Sequence, residues 1–293
     1  MLTRQRTPRD QGATPEWSRQ KLLAALSLLA VLAVAVLAGG GLWGWFLLHP
    51  QLHPAGAGPA ATGAPGPVAT VTAGTDVGSA REAAVVQARR DAAAAAPMRA
   101  ADPAAAQPAV LSVRDSGSID LPASTGPGPV GIPTGFPHTP EGALAQLVAI
   151  DTDVLDTATL DHARQVIAGW AAPGGPSGQS WSAVKALAGF HSAAGLSGGP
   201  SPGLSMRATP MMGLVKATDG PDWAVVCVDF EVDATLARTA RIAAADCQRM
   251  TWDEGTGAGR WLIGPGAEPA LAPSIWPGTD AAVDAGYRNL RHD

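Results

Sequence analysis

The sequence predicts an α+β fold: one transmembrane helix, then an outer domain of three helices followed by a four-stranded antiparallel sheet. Residues 22–48 form an uninterrupted run without a charged side chain, which spans about 40 Å as a helix. Between residues 139 and 195 the apolar side chains recur at the spacing of a helix face, whereas between residues 204 and 264 they alternate with period two. This change of period marks the passage from helices to sheet.

The apolar run at 22–48 is longer than the apolar region of a signal peptide, which has about 7–15 residues. Residues 33–35, Ala-Val-Ala, resemble a cleavage site, so removal of the segment is the alternative. The run continues past this point and closes with Trp43 and Trp45, residue types that favour the membrane interface. We therefore predict a permanent anchor.

The distribution of positive charge sets the orientation of this anchor. The tail 1–21 holds the basic residues Arg4, Arg6, Arg9, Arg19 and Lys21. No Lys or Arg follows the apolar run until Arg81. The positive-inside rule then predicts a single-pass protein of the cell membrane, with a cytoplasmic tail 1–21 and an extracytoplasmic remainder.

Gly40 and Gly44 form a GxxxG pattern within the apolar run. Such a pattern lets two helices approach closely in a membrane, which would make the protein a homo-oligomer with lipid as its other neighbour. A span so rich in Ala and Gly also produces the pattern by chance, so self-association stays open.

The composition limits both the partners and the size of the core. A net charge of -5 argues against direct contact with nucleic acid, which a basic patch would favour. The chain has 35 Gly and 26 Pro among 293 residues, above the average of about 12% for the two together. We predict an Ala/Gly/Pro-rich linker at 49–137, with a spacer helix near 79–96, and only one modest core.

The predicted outer domain covers residues 138–266. Thr139 is a side-chain cap ahead of Pro140 and starts the first helix, Thr159 opens the second, and Ser180 caps the third. Four strands follow, and the tail 267–293 carries a short helix near 280–290. This tail either docks on its own domain or offers a surface to a partner.

The segments "DWAVVCVDFEVDA" and "RIAAADCQRMTW" predict a hairpin with its turn at Ala237. In that register Cys227 faces Cys247, and Asp233 faces Arg241 as a favourable charge pair. Outside the cytoplasm the two cysteines are disulfide candidates, and closing such a loop adds about 3 kcal/mol. Free buried thiols are the alternative.

The same register places Asp246 and Gln248 on the apolar face of the hairpin. Either a bulge shifts the pairing, or the two polar side chains line a cavity between helices and sheet. We favour the bulge, and we keep Asp246 as the first candidate for a cavity site.

No motif for catalysis or cofactor binding stands out. The loop "EGTGAG" lacks the GK[ST] ending of a phosphate loop, and residues 151–161 hold four Asp without calcium-loop spacing. His138, His162 and His191 are scattered, without a nucleophile or HExxH motif nearby. We assign no catalytic, cofactor-binding or metal-ligating residue, and we predict neither a cofactor nor an enzyme.

Five segments of the sequence resemble a known family: "GIPTGFPHTPEGALAQL", "VCVDFEV", "DCQRMTW", "RWLIGPGAEPA" and "WPGTDAA". The chain resembles single-pass membrane proteins of actinobacterial integrative conjugative elements. Its order of tail, anchor, linker, helices and strands is similar to the VirB8/TcpC-type scaffold proteins of conjugation, whose outer domains have the NTF2-like cone fold.

The resemblance implies a non-enzymatic scaffold of a type IV secretion-like apparatus, bound to other membrane or conjugation proteins. Two alternatives stay open. One is the Mce-associated type of single-pass protein, which serves lipid import. The other is a small-ligand-binding or enzymatic NTF2-like domain that uses a cavity at Asp246.

Overall fold

The computed structural model describes residues 74–255, 257 and 259–292. The predicted tail 1–21, the predicted anchor 22–48 and its Gly40 and Gly44 lie outside these residues. Within the described part of the chain, none of the helices combines the length and the apolar character needed to cross a bilayer.

The described residues form five α-helices, eight strands and two 3-10 turns. The helices are α1 (Gly74–Ala95), α2 (Pro140–Thr157), α3 (Leu160–Trp170), α4 (Ser182–Ala193) and α5 (Asp280–Asp284). The strands are β1 (Ser118–Leu121), β2 (Gly126–Pro127), β3 (Pro133–Thr134), β4 (Ser205–Thr218), β5 (Trp223–Thr235), β6 (Thr239–Asp253), β7 (Arg260–Ile263) and β8 (Arg288–His292). The 3-10 turns are Pro103–Ala106 and Pro129–Gly131.

The central helix α2 begins and ends where its local chemistry dictates. The Thr139 hydroxyl accepts a hydrogen bond from the backbone N–H of Gly142 at 3.1 Å, and Pro140 occupies the first turn. Ala158 then adopts a left-handed conformation with φ of 51° and ends the helix, so α3 starts almost at once in a new direction. The third predicted cap differs, because Trp181 and not Ser180 precedes α4.

The main sheet has six strands in the order β1-β8-β4-β5-β6-β7. β1 runs parallel to β8, and the other neighbours are antiparallel. The predicted four-stranded antiparallel NTF2-like cone is therefore wrong, although the α+β composition holds. β1 and β8 are short segments from opposite ends of the domain, and no local periodicity reports the pairing of strands so far apart in sequence.

The two faces of this sheet are covered by different parts of the chain. α2, α3 and α4 pack on one face over the larger apolar core, which includes Leu147, Val228 and Phe230. We call the residues on the other face, 94–106 and 270–287, the cover. The backbone N–H of Trp276 joins its two halves by donating to the Ala105 carbonyl at 2.6 Å.

At the start of α2, we expect the single methyl group added by Gly142→Ala to destabilise the protein strongly. A Cβ on Gly142 would lie 1.9 Å from the Pro137 carbonyl oxygen, a backbone atom that moves only with the loop. We expect Gly142→Ala to lower the free energy of unfolding by about 2 kcal/mol, measured by urea denaturation. Gly189→Ala in α4 is the matched control, since nothing lies within 4 Å and the helix gains up to about 1 kcal/mol. Equal effects of both variants would contradict the predicted clash.

Candidate functional site

The β5–β6 hairpin positions the two cysteines and the polar residues Asp229, Asp246 and Gln248. Its pairing runs from Trp223 with Thr251 to Thr235 with Thr239 without a register shift. The favoured bulge is therefore wrong, and Asp246 and Gln248 do lie on the face toward the helices. Continuous alternation over this length holds both side chains there.

Cys227 and Cys247 lie directly opposite each other and form a disulfide. Two residues before and two residues after Cys247, the backbone hydrogen-bonding groups of β6 point away from β5. The Ala245 N–H donates to the Ser274 hydroxyl, and the Arg249 carbonyl accepts from the Gly264 N–H. The cysteines thus form a non-hydrogen-bonded pair, the close type of antiparallel pair, with Cα atoms 4.0 Å apart. Both are buried, beside the Met98 sulfur.

A polar cluster lies on the helix side of the hairpin. The Gln248 side-chain amide donates to the Asp246 carboxylate at 2.7 Å and to the Ser182 hydroxyl at 3.1 Å. The Ser182 backbone N–H donates to the Glu268 carboxylate at the start of α4. Both cavity candidates from the sequence therefore belong to one hydrogen-bonded group.

Asp151 of α2 brings a second buried carboxyl to this cluster. Asp151 is 3% exposed, and neither of its carboxyl oxygens has a hydrogen-bond partner in the described structure. Burial raises its pKa well above the usual value, and the Asp246 charge raises it further. Burial also raises the pKa of Asp246, to about 7, although the Gln248 hydrogen bond opposes that shift. The two carboxyls therefore titrate as an interacting pair, and ionisation of Asp246 disfavours ionisation of Asp151.

Gln248→Met tests this electrostatic arrangement. The thioether keeps the volume of the side chain but removes the amide that stabilises the ionised Asp246 carboxylate. We expect the pKa of Asp246 to rise above about 7, as measured by carboxyl-carbon NMR titration. Gln87→Met on the exposed surface of α1 is the matched control, because it removes an amide that donates to a different carboxylate, that of Asp91. A fall in the pKa of Asp246 in Gln248→Met would contradict the assigned role of the amide.

A further buried acid, Asp229 of β5, lies on the cover side of the sheet. It is fully buried between Met212 and Ala245, and neither carboxyl oxygen has a hydrogen bond of normal geometry. Burial raises its pKa to about 9, and the nearby backbone N–H of Ile275 offsets only part of that rise. Sequence reasoning missed this residue, although one signal was present: it is a lone charge inside the apolar run 224–230.

The other acidic and histidine candidates have structural partners. The Asp156 carboxylate accepts a hydrogen bond from the Ala208 backbone N–H at 2.7 Å. His138 stacks on Trp252 with ring centres 4.1 Å apart, and His191 bonds to the Ala158 carbonyl at 2.7 Å. In the described residues no set of three His, Cys, Asp or Glu side chains is placed to hold a metal ion.

The described part of the domain has two surface depressions. One, of 320 Å³, lies in the cover and includes Ile275, and the other, of 310 Å³, lies between the end of α2 and the loop before β4. Neither is lined by Asp246 or Gln248.

In the described part of the chain, the fold and its buried groups define an α+β domain with a disulfide-linked hairpin and one unpaired buried carboxyl on each side of the sheet, Asp151 of α2 on the helix side and Asp229 of β5 on the cover side. Compared with known proteins, the chain matches no family model, no curated protein and no solved structure.

Proposed function

We propose that the protein is a membrane-anchored, non-enzymatic scaffold component of a conjugative DNA-transfer apparatus, acting through protein contacts of its outer domain. The observation that carries this proposal is the buried disulfide between Cys227 and Cys247, downstream of the apolar run 22–48. Disulfides form and persist outside the reducing cytoplasm, which supports an anchored domain on the outer side. The conjugation assignment rests on the resemblance of five sequence segments to proteins of conjugative elements. The four-stranded cone, which the structure contradicts, gives it no support.

A surface suited to protein contacts supports the scaffold role. Val110, Leu111 and Val113 are 90%, 62% and 102% exposed. The segment is nevertheless fixed, since the Ser112 backbone N–H donates to the Gly278 carbonyl at 2.7 Å and Arg114 pairs with Asp284. Exposed apolar side chains on a fixed backbone are typical of contact surfaces.

Crosslinking in intact donor cells tests the proposal. A photoreactive amino acid at Val113 of the full-length protein is expected to capture transfer ATPase or channel proteins, identified by mass spectrometry after purification from the membrane. The same amino acid at Asp161, whose side chain is 84% exposed on α3, is the matched control.

The alternatives give different results in the same experiment. Lipid-import proteins captured at Val113 would replace the conjugation proposal with the Mce-associated alternative. A cleaved, soluble product without companions would contradict both the anchor and the scaffold.

A further inference from the structure

We propose that the outer domain binds an alkyl guanidinium or alkylammonium group in the depression of the cover, with Asp229 beneath the depression as its counter-ion. This inference does not depend on the proposed conjugation function. It assigns a ligand chemistry to a face of the sheet for which the sequence motifs predict no site.

The depression has the size and lining for an alkyl cation. Its volume is 320 Å³. The deeper side chains are Ala101, Ala105 and Ile275, and the exposed ones include Arg99, Asp102 and Asp284. An apolar base with a polar edge fits the aliphatic stem and charged head of a Lys- or Arg-like group. Asp284 already pairs with Arg99 at 3.5 Å and with Arg114 at 2.7 Å, which leaves Asp102 as the acid at this edge without a basic partner among the described residues.

Ile275 connects the depression to Asp229. It lines the depression and is 2% exposed. Its backbone N–H lies near the Asp229 carboxyl and offsets part of the rise in the pKa of that acid. Its side chain packs in the same cover-side cluster as Met212, the cross-strand neighbour of Asp229. Ile275 therefore separates the depression from the buried acid, and the proposed binding requires its side chain to move aside.

Asp229 lacks a cationic partner among the described residues. Lys216 and Arg249 on this side are engaged elsewhere, since the Lys216 ammonium donates to the Ala94 carbonyl at 2.9 Å and Arg249 pairs with Asp91 at 2.6 Å. Arg99 at the edge of the depression pairs with Asp284. The Tyr287 hydroxyl donates to the Pro273 carbonyl at 3.2 Å instead of to the acid. A buried carboxylate without a partner is costly, and a cation that donates hydrogen bonds removes that cost.

On binding, the cation replaces the proton of the Asp229 carboxyl. The Asp229 carboxyl gives up its proton to the solvent, and the N–H groups of the entering cation donate to the carboxylate in its place. At pH 7 about one proton is expected to leave for each cation bound, because the free site holds its proton at that pH. A cation held only by the exposed acids Asp102 and Asp284 would release no proton.

Isothermal titration of the full-length protein in detergent micelles tests the site. The probes are butylguanidinium, butylammonium and an acetylated Gly-Arg-Gly amide, each in buffers of different ionisation enthalpy, which report the released proton. Tighter binding of the peptide points to a protein side chain as the natural source, and tighter binding of the free cations points to a small molecule. Binding without proton release, or no binding of any probe, overturns the proposal.

Three variants separate the buried acid from the edge of the depression. Asp229→Asn is expected to weaken binding at least about tenfold and to abolish proton release. Asp102→Asn, the matched control, is expected to weaken binding less than about threefold with proton release unchanged. Ile275→Ala opens the route to Asp229, so tighter binding is expected, and weaker binding in a folded Ile275→Ala protein would overturn the proposed route.

Discussion

Asp229→Asn is expected to raise the free energy of unfolding by about 4 kcal/mol at pH 7, an upper limit set by the cost of protonating a carboxyl that has its ordinary pKa when unfolded. The amide keeps the shape of the side chain and needs no proton. The pKa of the acid rises from 3.8 to about 9 on folding. Its contribution to stability is therefore fully present below about pH 4 and is lost as the pH rises through about 9.

Chemical denaturation at pH 5, 7 and 9 measures this effect. The wild-type protein is expected to lose up to about 1.4 kcal/mol per pH unit relative to Asp229→Asn across this range. Taking the difference between the two proteins cancels the titration of Asp246, whose pKa is also raised. Asp233→Asn, on the same strand but paired with Arg241 near the surface, is the control and should leave the pH slope unchanged. A wild-type slope retained in Asp229→Asn would contradict a buried protonated acid.

The hairpin was predictable in detail because period two and one turn determine its register. The predicted opposition of Cys227 to Cys247 and of Asp233 to Arg241 follows from the turn position alone, and the structure has both pairs. Asp246 and Gln248 were noticed for the same reason, since alternation assigns each residue to a face. Their mutual hydrogen bond is visible only in three dimensions, as is Asp151 beside them, because α2 reaches the sheet through tertiary packing.

The cover was beyond sequence reasoning for a different physical reason. Residues 94–106 have little apolar periodicity, so nothing local indicates that they pack on the sheet. Their attachment comes from distant partners, such as the Ala270 N–H that donates to the Ala94 carbonyl at 3.0 Å. Asp229 escaped notice together with the cover, because its face of β5 is buried only once the cover is in place. A charge within an apolar strand is therefore a signal to seek a second layer.

Removal of the disulfide is the second large effect we expect. The double variant Cys227→Ala/Cys247→Ala should lose about 3 kcal/mol, because the bond closes a loop between residues 20 apart in sequence and restricts the unfolded chain. Urea denaturation of the wild-type and variant proteins measures the loss.

Reduction of the wild-type protein provides an independent measurement of the same bond. Cys227 and Cys247 are 0% and 5% exposed, so a thiol reductant should cleave the bond only when the domain opens, and the reduced protein should then unfold at the urea concentration of the double variant. Met98→Leu keeps the packing against both sulfurs, and we expect it to change stability by less than about 1 kcal/mol. Equal stability of the oxidised and reduced proteins would remove the physical reason for folding this domain outside the cytoplasm, and with it the main support for an anchored outer scaffold.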